Sequence, residues 1–317
     1  MTHTPPTTKR ARSRATRGSA EVDDAGARTT GTLLDRAESR ILGSRAIDHW
    51  ERGAARSDAE QLLAEAMGID SRDLVADDTV RAVPRRRFVA MVDRRVAGEP
   101  IALIVGHTEF RGLDLLTRHG VFSPRGSSEL LAEDVIRRMR RRRGGVCVDV
   151  ATGAGPVALS VASEVPTAEV WGVDISREAV SLCRRNARRL GLNNAHFATG
   201  DMLGALPARY QGRIEVFAIH PPYVAAHEVA HLPREIRKFE PAHTLTDRSA
   251  DGLGLVRRLA AEAPDWLTRN GRVHVEIGPS LSRSCQAIFR RAGFADVAWV
   301  RDAGGLTRVV IAGRPAL

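Results

Sequence analysis

From residue 129 to residue 312 the hydrophobic period changes repeatedly, and this pattern restricts the fold more than any other feature of the chain. Short apolar runs at Val146–Val150, Val170–Val173, Ala195–Ala198, Glu215–Ile219, Arg272–Ile277, Val297–Arg301 and Arg308–Ala312 have strand length. Between them, Glu129–Arg143, Pro156–Glu164, Arg177–Leu190, Asp251–Leu267 and Leu281–Ala292 carry the wider spacing of one-sided helices. Strands buried on both faces need helices above and below. The alternation therefore predicts an α/β fold, with a doubly wound, mostly parallel sheet.

The chain upstream has a different character. Residues 1–28 are rich in Arg, Thr, Ser and Pro and poor in apolar side chains, so a disordered basic tail is expected. They lack an apolar core segment and do not read as a secretory signal. Residues 29–98 read as a helical domain. Leu33, Leu34, Ala37, Ile41 and Leu42 share one face, and Ser57-Asp58-Ala59-Glu60 has the form of a capping box, with Gly68 ending the helix that it starts. Pro84 opens a further helix with Phe88, Val89, Val92 and Val96 inward. Residues 99–122, broken at Gly106, Gly112 and Gly120, read as a linker with a β-hairpin. The α/β domain then runs over residues 123–317.

The formal net charge of +10 is concentrated in two blocks. One is Lys9, Arg10, Arg12, Arg14 and Arg17; the other is Arg137, Arg138 and Arg140–Arg143. Such blocks attract nucleic acid, or they are a solvated tail and an exposed helix end, and the second reading is favoured. No apolar run approaches the roughly 18 residues of a membrane helix. The three scattered cysteines form no disulfide or zinc pattern, so a cytoplasmic setting without metal is expected. His227 and His231 sit four apart but have no third ligand nearby, and read as ordinary polar residues.

Asp149-Val150-Ala151-Thr152-Gly153-Ala154-Gly155 joins the first strand of the sheet to its helix. Gly153 and Gly155 allow close backbone approach at that turn, although the spacing is not a dinucleotide fingerprint. An acid closing the strand before a G-x-G turn suits S-adenosylmethionine, whose amino group Asp149 can face while the amides around Thr152 and Gly153 approach its carboxylate. Asp174, followed by Ile175, ends the second strand, where a carboxylate can accept from both ribose hydroxyls. Asp201 follows the third strand and can read the adenine amino group, with Met202 packed on the ring.

His220-Pro221-Pro222-Tyr223 follows the strand ending at Ile219. Two prolines fix the backbone and donate no hydrogen bond, so a polar residue, Pro-Pro and an aromatic make a rigid pocket.

Taken with these sites, the chain from about Leu33 to Ala312 resembles the protein-glutamine methyltransferases that modify class-one peptide-chain release factors. Gly98-Glu99-Pro100-Ile101-Ala102 and Gly106-His107-Thr108-Glu109-Phe110-Arg111-Gly112-Leu113 are similar to that family's interdomain segment. Glu240-Pro241, Asp251-Gly252-Leu253 and Val275-Glu276-Ile277-Gly278 are similar to its downstream motifs. The resemblance implies a helical recognition domain before a class I methyltransferase domain. It also implies methyl transfer from S-adenosylmethionine to a side-chain amide nitrogen. His220, Pro221, Pro222 and Tyr223 would then form the acceptor pocket, and Arg125, Ser128 and Glu129 would contact substrate.

Three positions depart from the family. His220 stands where it has Asn; a neutral imidazole offers one acceptor nitrogen and can act as a general base. Gly126-Ser127-Ser128 replaces the proline and first glutamate of the Pro-Arg-Pro-Glu-Thr-Glu loop. Ala151 replaces a turn glycine. The expected partner is a release factor-like protein. A small-metabolite acceptor, with His220 as general base, is the first alternative, and a flipped nucleic-acid base is the second.

Overall fold

The computed structural model describes residues 28–47 and 51–314. The expected basic tail lies outside the described residues apart from Arg28. The described residues divide into two compact units. The first takes in residues up to Gly43 together with Gly53–Val92, and the others fall in the second.

The first unit is helical. Its α1 (Thr30–Leu42) begins at Thr29, whose side chain accepts from the Thr32 amide. Leu33, Leu34, Ala37 and Ile41 are buried as the periodicity requires, whereas Leu42 is 46% exposed and leaves the inward face. The second helix, α2 (Ala55–Met67), starts before the predicted capping box. Ala54 occupies the cap without a side-chain bond, and Ser57 lies inside the first turn. Gly68 ends it in the left-handed region at φ 72°, with its amide bonded to the Ala64 carbonyl. In α3 (Ala82–Val96), Pro84 sits in the first turn, Phe88 and Val92 are buried, and Val89 is half-buried.

After α3, within the second unit, comes a short helix that the sequence reading missed, α4 (Ile101–Val105). The hairpin β1 (His107–Phe110) and β2 (Leu113–Leu116) follows. Arg111 and Gly112, both at positive φ, make the two-residue turn between these strands. The sheet unit then runs α5 (Ser128–Arg141), β3 (Gly145–Val150), α6 (Pro156–Glu164), β4 (Ala168–Asp174), α7 (Arg177–Arg189), β5 (Ala195–Thr199) and β6 (Ile214–Ile219). It continues with α8 (Arg234–Phe239), α9 (Ala242–Leu245), α10 (Gly254–Trp266), β7 (Leu267–Glu276), α11 (Ser282–Arg291), β8 (Ala295–Arg301) and β9 (Thr307–Gly313).

The main sheet has the strand order β5-β4-β3-β6-β7-β9-β8. Strands β3 to β7 are parallel, and β9 runs antiparallel to both of its neighbours. Alternate residues feed opposite cores. Val148, Phe217 and Ile219 pack in one cluster with Val256, Leu259 and Phe289; Cys147, Val216 and Ala218 pack in another with Leu131, Val135 and Leu159. This is why β6 is apolar without a break from Val216 to Ile219: both of its faces are buried. The chain crosses to β4 on one side of β3 and to β6 on the other, which leaves a crevice at the C-terminal end of β3.

The arginine block on α5 is engaged largely within the protein. Arg137 pairs with Glu133, Arg140 with Glu164 and Arg142 with Glu215. All three cysteines are buried and free. Among the described residues no helix is long and apolar enough to cross a membrane, and no cluster of His, Cys, Asp and Glu could hold a metal ion.

Candidate active site

A cavity of roughly 480 Å³ opens in the crevice beyond β3, β4 and β6, within the usual size range of ligand sites. Its wall includes Ala151, Gly153, Asp174, Ile175, Asp201 and Met202, and it reaches His220, Pro221 and Pro222. A smaller adjoining space, bounded by Pro124, Arg125, Ser128, Asp149 and Thr152, shares Phe122, Ala151, Gly153 and His220 with the larger one.

At the strand ends the turn is organised around two carboxylates. Asp149 is buried; its Oδ2 accepts from Thr152 Oγ1 at 2.6 Å and from the Ala158 amide at 3.2 Å. Burial pushes its carboxyl up to about 7, against the pull of those two donors. Asp174 accepts from the amides of Gly153 and Ser176, each at 2.9 Å. Burial also raises its carboxyl, and these amides oppose the rise. The backbone at Ala151 and Gly153 is left-handed, at φ 55° and 57°. The family's glycine at position 151 therefore has a steric reason, and the Ala151 methyl carries a backbone strain.

Ile175 is 65% exposed on the cavity wall, and Met202 is buried beside it on a left-handed backbone. The Asp201 carboxylate holds the Arg258 guanidinium through two 3.0 Å bonds, both side chains being solvent-exposed. Such a pair is weak and leaves Asp201 available to a competing donor. Gly155 lines neither space. It caps α6 at φ 86°, and a Cβ there would press on Cys183 and Leu159. Buried carboxylates beside an apolar wall suit a ligand with a cationic amine, hydroxyl groups and an aromatic ring, which is the donor set of S-adenosylmethionine.

The other end is gathered from distant segments. The His220 ring is 19% exposed and stacks on Tyr223, with centroids 5.6 Å apart and planes at 23°. Phe122 meets it edge-on at 5.7 Å. Its Nδ1 lies 3.1 Å from Ser128 Oγ and 3.4 Å from Glu276 Oε2. Burial lowers the imidazole below its ordinary value; Glu276 opposes that shift and Arg125 reinforces it. Tyr223 lies behind His220 and lines neither space, and burial raises its phenol. Arg125 donates to Glu240 at 2.6 Å and lies over the Phe122 ring. Glu129 stands outside both spaces, and its Oε1 accepts from the Arg111 amide.

Sequence reasoning missed the roof of the cavity, formed by His243, Thr244, Thr246, Asp247 and Arg248. The Asp247 amide donates to the Pro222 carbonyl, and Val224 donates to Leu245, so this loop is tied to the Pro-Pro-Tyr segment. The signal available was Asp251-Gly252-Leu253. Gly252 is left-handed at φ 68°, and a Cβ on it would collide with the Tyr223 carbonyl. Glu240 and Glu276 belong to Glu240-Pro241 and Val275-Glu276-Ile277-Gly278, for which the sequence offered no role.

The sequence matches known proteins. Residues 42–106 match the PrmC N-terminal domain, and residues 142–247 match a methyltransferase domain. The release factor glutamine methyltransferase of Bordetella pertussis is 36% identical over 81% of this chain and 94% of its own length. That of Burkholderia pseudomallei is 36% identical over 79% and 89%. A solved protein-(glutamine-N5) methyltransferase from Alicyclobacillus acidocaldarius is 26% identical, covering 61% of this chain and 94% of its own, with a TM-score of 0.37. On the breadth of the sequence matches the chain belongs to the release factor glutamine methyltransferase family and is an S-adenosylmethionine-dependent methyltransferase.

Proposed function

We propose that the enzyme methylates the side-chain amide nitrogen of a glutamine in a peptide-chain release factor, in the cytoplasm. The Pro221 carbonyl carries this reading. Pro221 borders the cavity beside His220, and its carbonyl has no hydrogen-bond partner among the described residues, whereas the next carbonyl, of Pro222, is taken by Asp247. An amide nitrogen is a poor nucleophile because its lone pair is delocalised into the carbonyl. A fixed acceptor that binds one N–H turns the nitrogen toward the methyl group and supplies orientation that solution cannot.

In this reading Asp174 takes the ribose hydroxyls of the donor, and Ile175 and Met202 flank its adenine. Asp201 exchanges Arg258 for the adenine amino group. Asp149, Thr152 and Gly153 serve the amino-acid end. Arg125 and Ser128 border the acceptor, with Tyr223 behind the pocket. The methyl group supplied by the sulfonium is the only chemistry that the donor brings.

The test is transfer of labelled methyl from S-adenosylmethionine to a purified release factor and to its glutamine-to-glutamate variant. Label on the first and none on the second is expected. Label appearing instead on a small molecule or on nucleic acid in a cell extract would replace this reading with one of the alternatives.

A further inference from the structure

Two departures that are far apart in sequence meet in space. The residue standing for the family's Asn is His220, and the altered loop is Gly126-Ser127-Ser128. Ser128 Oγ sits 3.1 Å from His220 Nδ1. Ser127 Oγ donates at 2.8 Å to Glu276 Oε1, and the other oxygen of that carboxylate faces the same Nδ1 at 3.4 Å. Ser128 and Glu276 are buried. Glu276 Oε2 has no hydrogen bond of its own, and the imidazole Nδ1 faces it at 3.4 Å.

We propose that Ser127, Ser128 and Glu276 hold His220 as the Nδ1-protonated tautomer, making Nε2 the atom that accepts from the substrate amide and takes the proton released by methylation. The proposal rests on the glutamine reading above for the identity of the acceptor. A buried carboxylate beside Nδ1 favours the proton there, and the hydroxyl of Ser128 accepts it. Nε2 then carries the free lone pair. It has no partner among the described residues, and His220 borders both spaces of the site. Phe122 and Tyr223 clamp the ring and resist a flip that would exchange the two nitrogens. The charged and titratable groups around the ring are Glu276, Arg125 with its partner Glu240, and the Tyr223 phenol.

The step balances. The amide nitrogen pair forms the N–CH3 bond as the methyl–sulfur bond breaks, and sulfur keeps that pair as a neutral thioether. The nitrogen is then cationic with two hydrogens. One proton passes to His220 Nε2, its bonding pair returns to nitrogen, and the imidazolium lies against Glu276 until water removes the proton. Ser127, Ser128 and Glu276 are positioning residues; His220 is the catalytic one. Burial keeps the imidazole neutral near pH 7, ready to accept.

Nitrogen-15 NMR of the histidine-labelled full chain reads the tautomer without any acceptor, and His220→Asn assigns the signal. A proton on Nδ1 and none on Nε2 is expected at pH 8. Glu276→Gln should lower the imidazole pKa by about one unit, because it removes the facing charge. Ser127→Ala should move it slightly upward, because the carboxylate loses its hydroxyl donor; a merely structural role gives no such opposite pair of shifts. In kcat against pH on the release factor, the acid limb should follow the same shifts and vanish in His220→Asn, with donor affinity unchanged in all three. A proton on Nε2, or an acid limb that survives in His220→Asn, would overturn the proposal. A wild type that transfers no methyl to the glutamine sinks the acceptor assignment alone, since the NMR result still decides the tautomer.

Discussion

The donor end and the acceptor end of this cavity are built on different scales of sequence. Around Asp149 and Asp174 the defining hydrogen bonds join residues 2, 3, 9 and 21 positions apart. Around His220 they join residues 92, 115 and 149 positions apart. A strand–turn–helix unit presents the first set almost by itself, whereas the second exists only after β6, β7 and the loop before α5 have packed. Substitutions at the donor end are therefore judged by local backbone geometry. Those at the acceptor end are tolerated only with partners elsewhere, as the pairing of His220 with Ser128 illustrates.

The largest effect should come from Asp174→Ala. It removes the proposed ribose acceptor and orphans the amides of Gly153 and Ser176. Charge-assisted bonds contribute about 1.5–3 kcal/mol each, so donor affinity by calorimetry should fall at least ~100-fold. Equal affinity in both proteins would erase the donor end as drawn.

Tyr223→Ala should do the converse. Removing the ring behind His220 loosens the acceptor pocket, so kcat/KM for the protein substrate should fall about 100-fold. Donor affinity should change by less than about threefold. Parallel losses in both quantities would mean that the two ends are one unit.

Asp149 gives the donor end a pH signature. Its folded carboxyl is raised from 3.8 to about 7, so its contribution to the stability of the ligand-free protein is full in acid and lost as pH rises through 7. A bound ammonium favours the ionised form, so binding should expel a proton below pH 7. Affinity should weaken about tenfold from pH 8 to pH 6. Calorimetry in buffers of differing ionisation enthalpy measures that proton, and Asp149→Asn should flatten the dependence.

Ala151→Gly should have the smallest effect. It relieves the left-handed alanine at φ 55° but adds freedom to the unfolded chain, for a net gain of about 0.5 kcal/mol in thermal unfolding. A loss of stability would show that the Ala151 methyl makes packing contacts worth more than its strain.

The legibility of the molecule follows the same division. The order of strands and helices could be read because burial on both faces imposes unbroken apolar runs, as in Val216–Ile219. The acids at the ends of β3 and β4 could be read because a strand end and its turn are contiguous. The capping box at Ser57 misled because Asp58 and Ala59 are buried on α2, so tertiary packing sets where that helix starts. The helix α4 escaped because five residues carry too little periodicity.

The sequence by itself determined the α/β sheet, the Gly-rich turn and the rigid His-Pro-Pro-Tyr segment, each of which depends on neighbours within a few residues. Only the tertiary structure decided what His220 is. The same imidazole beside water would titrate as an ordinary histidine. Buried between Phe122 and Tyr223 with Ser128 and Glu276 at one nitrogen, it is held neutral with its other nitrogen free. Those neighbours arrive from separate strands and loops, and hydrophobic periodicity says nothing about which polar side chains packing will bring together.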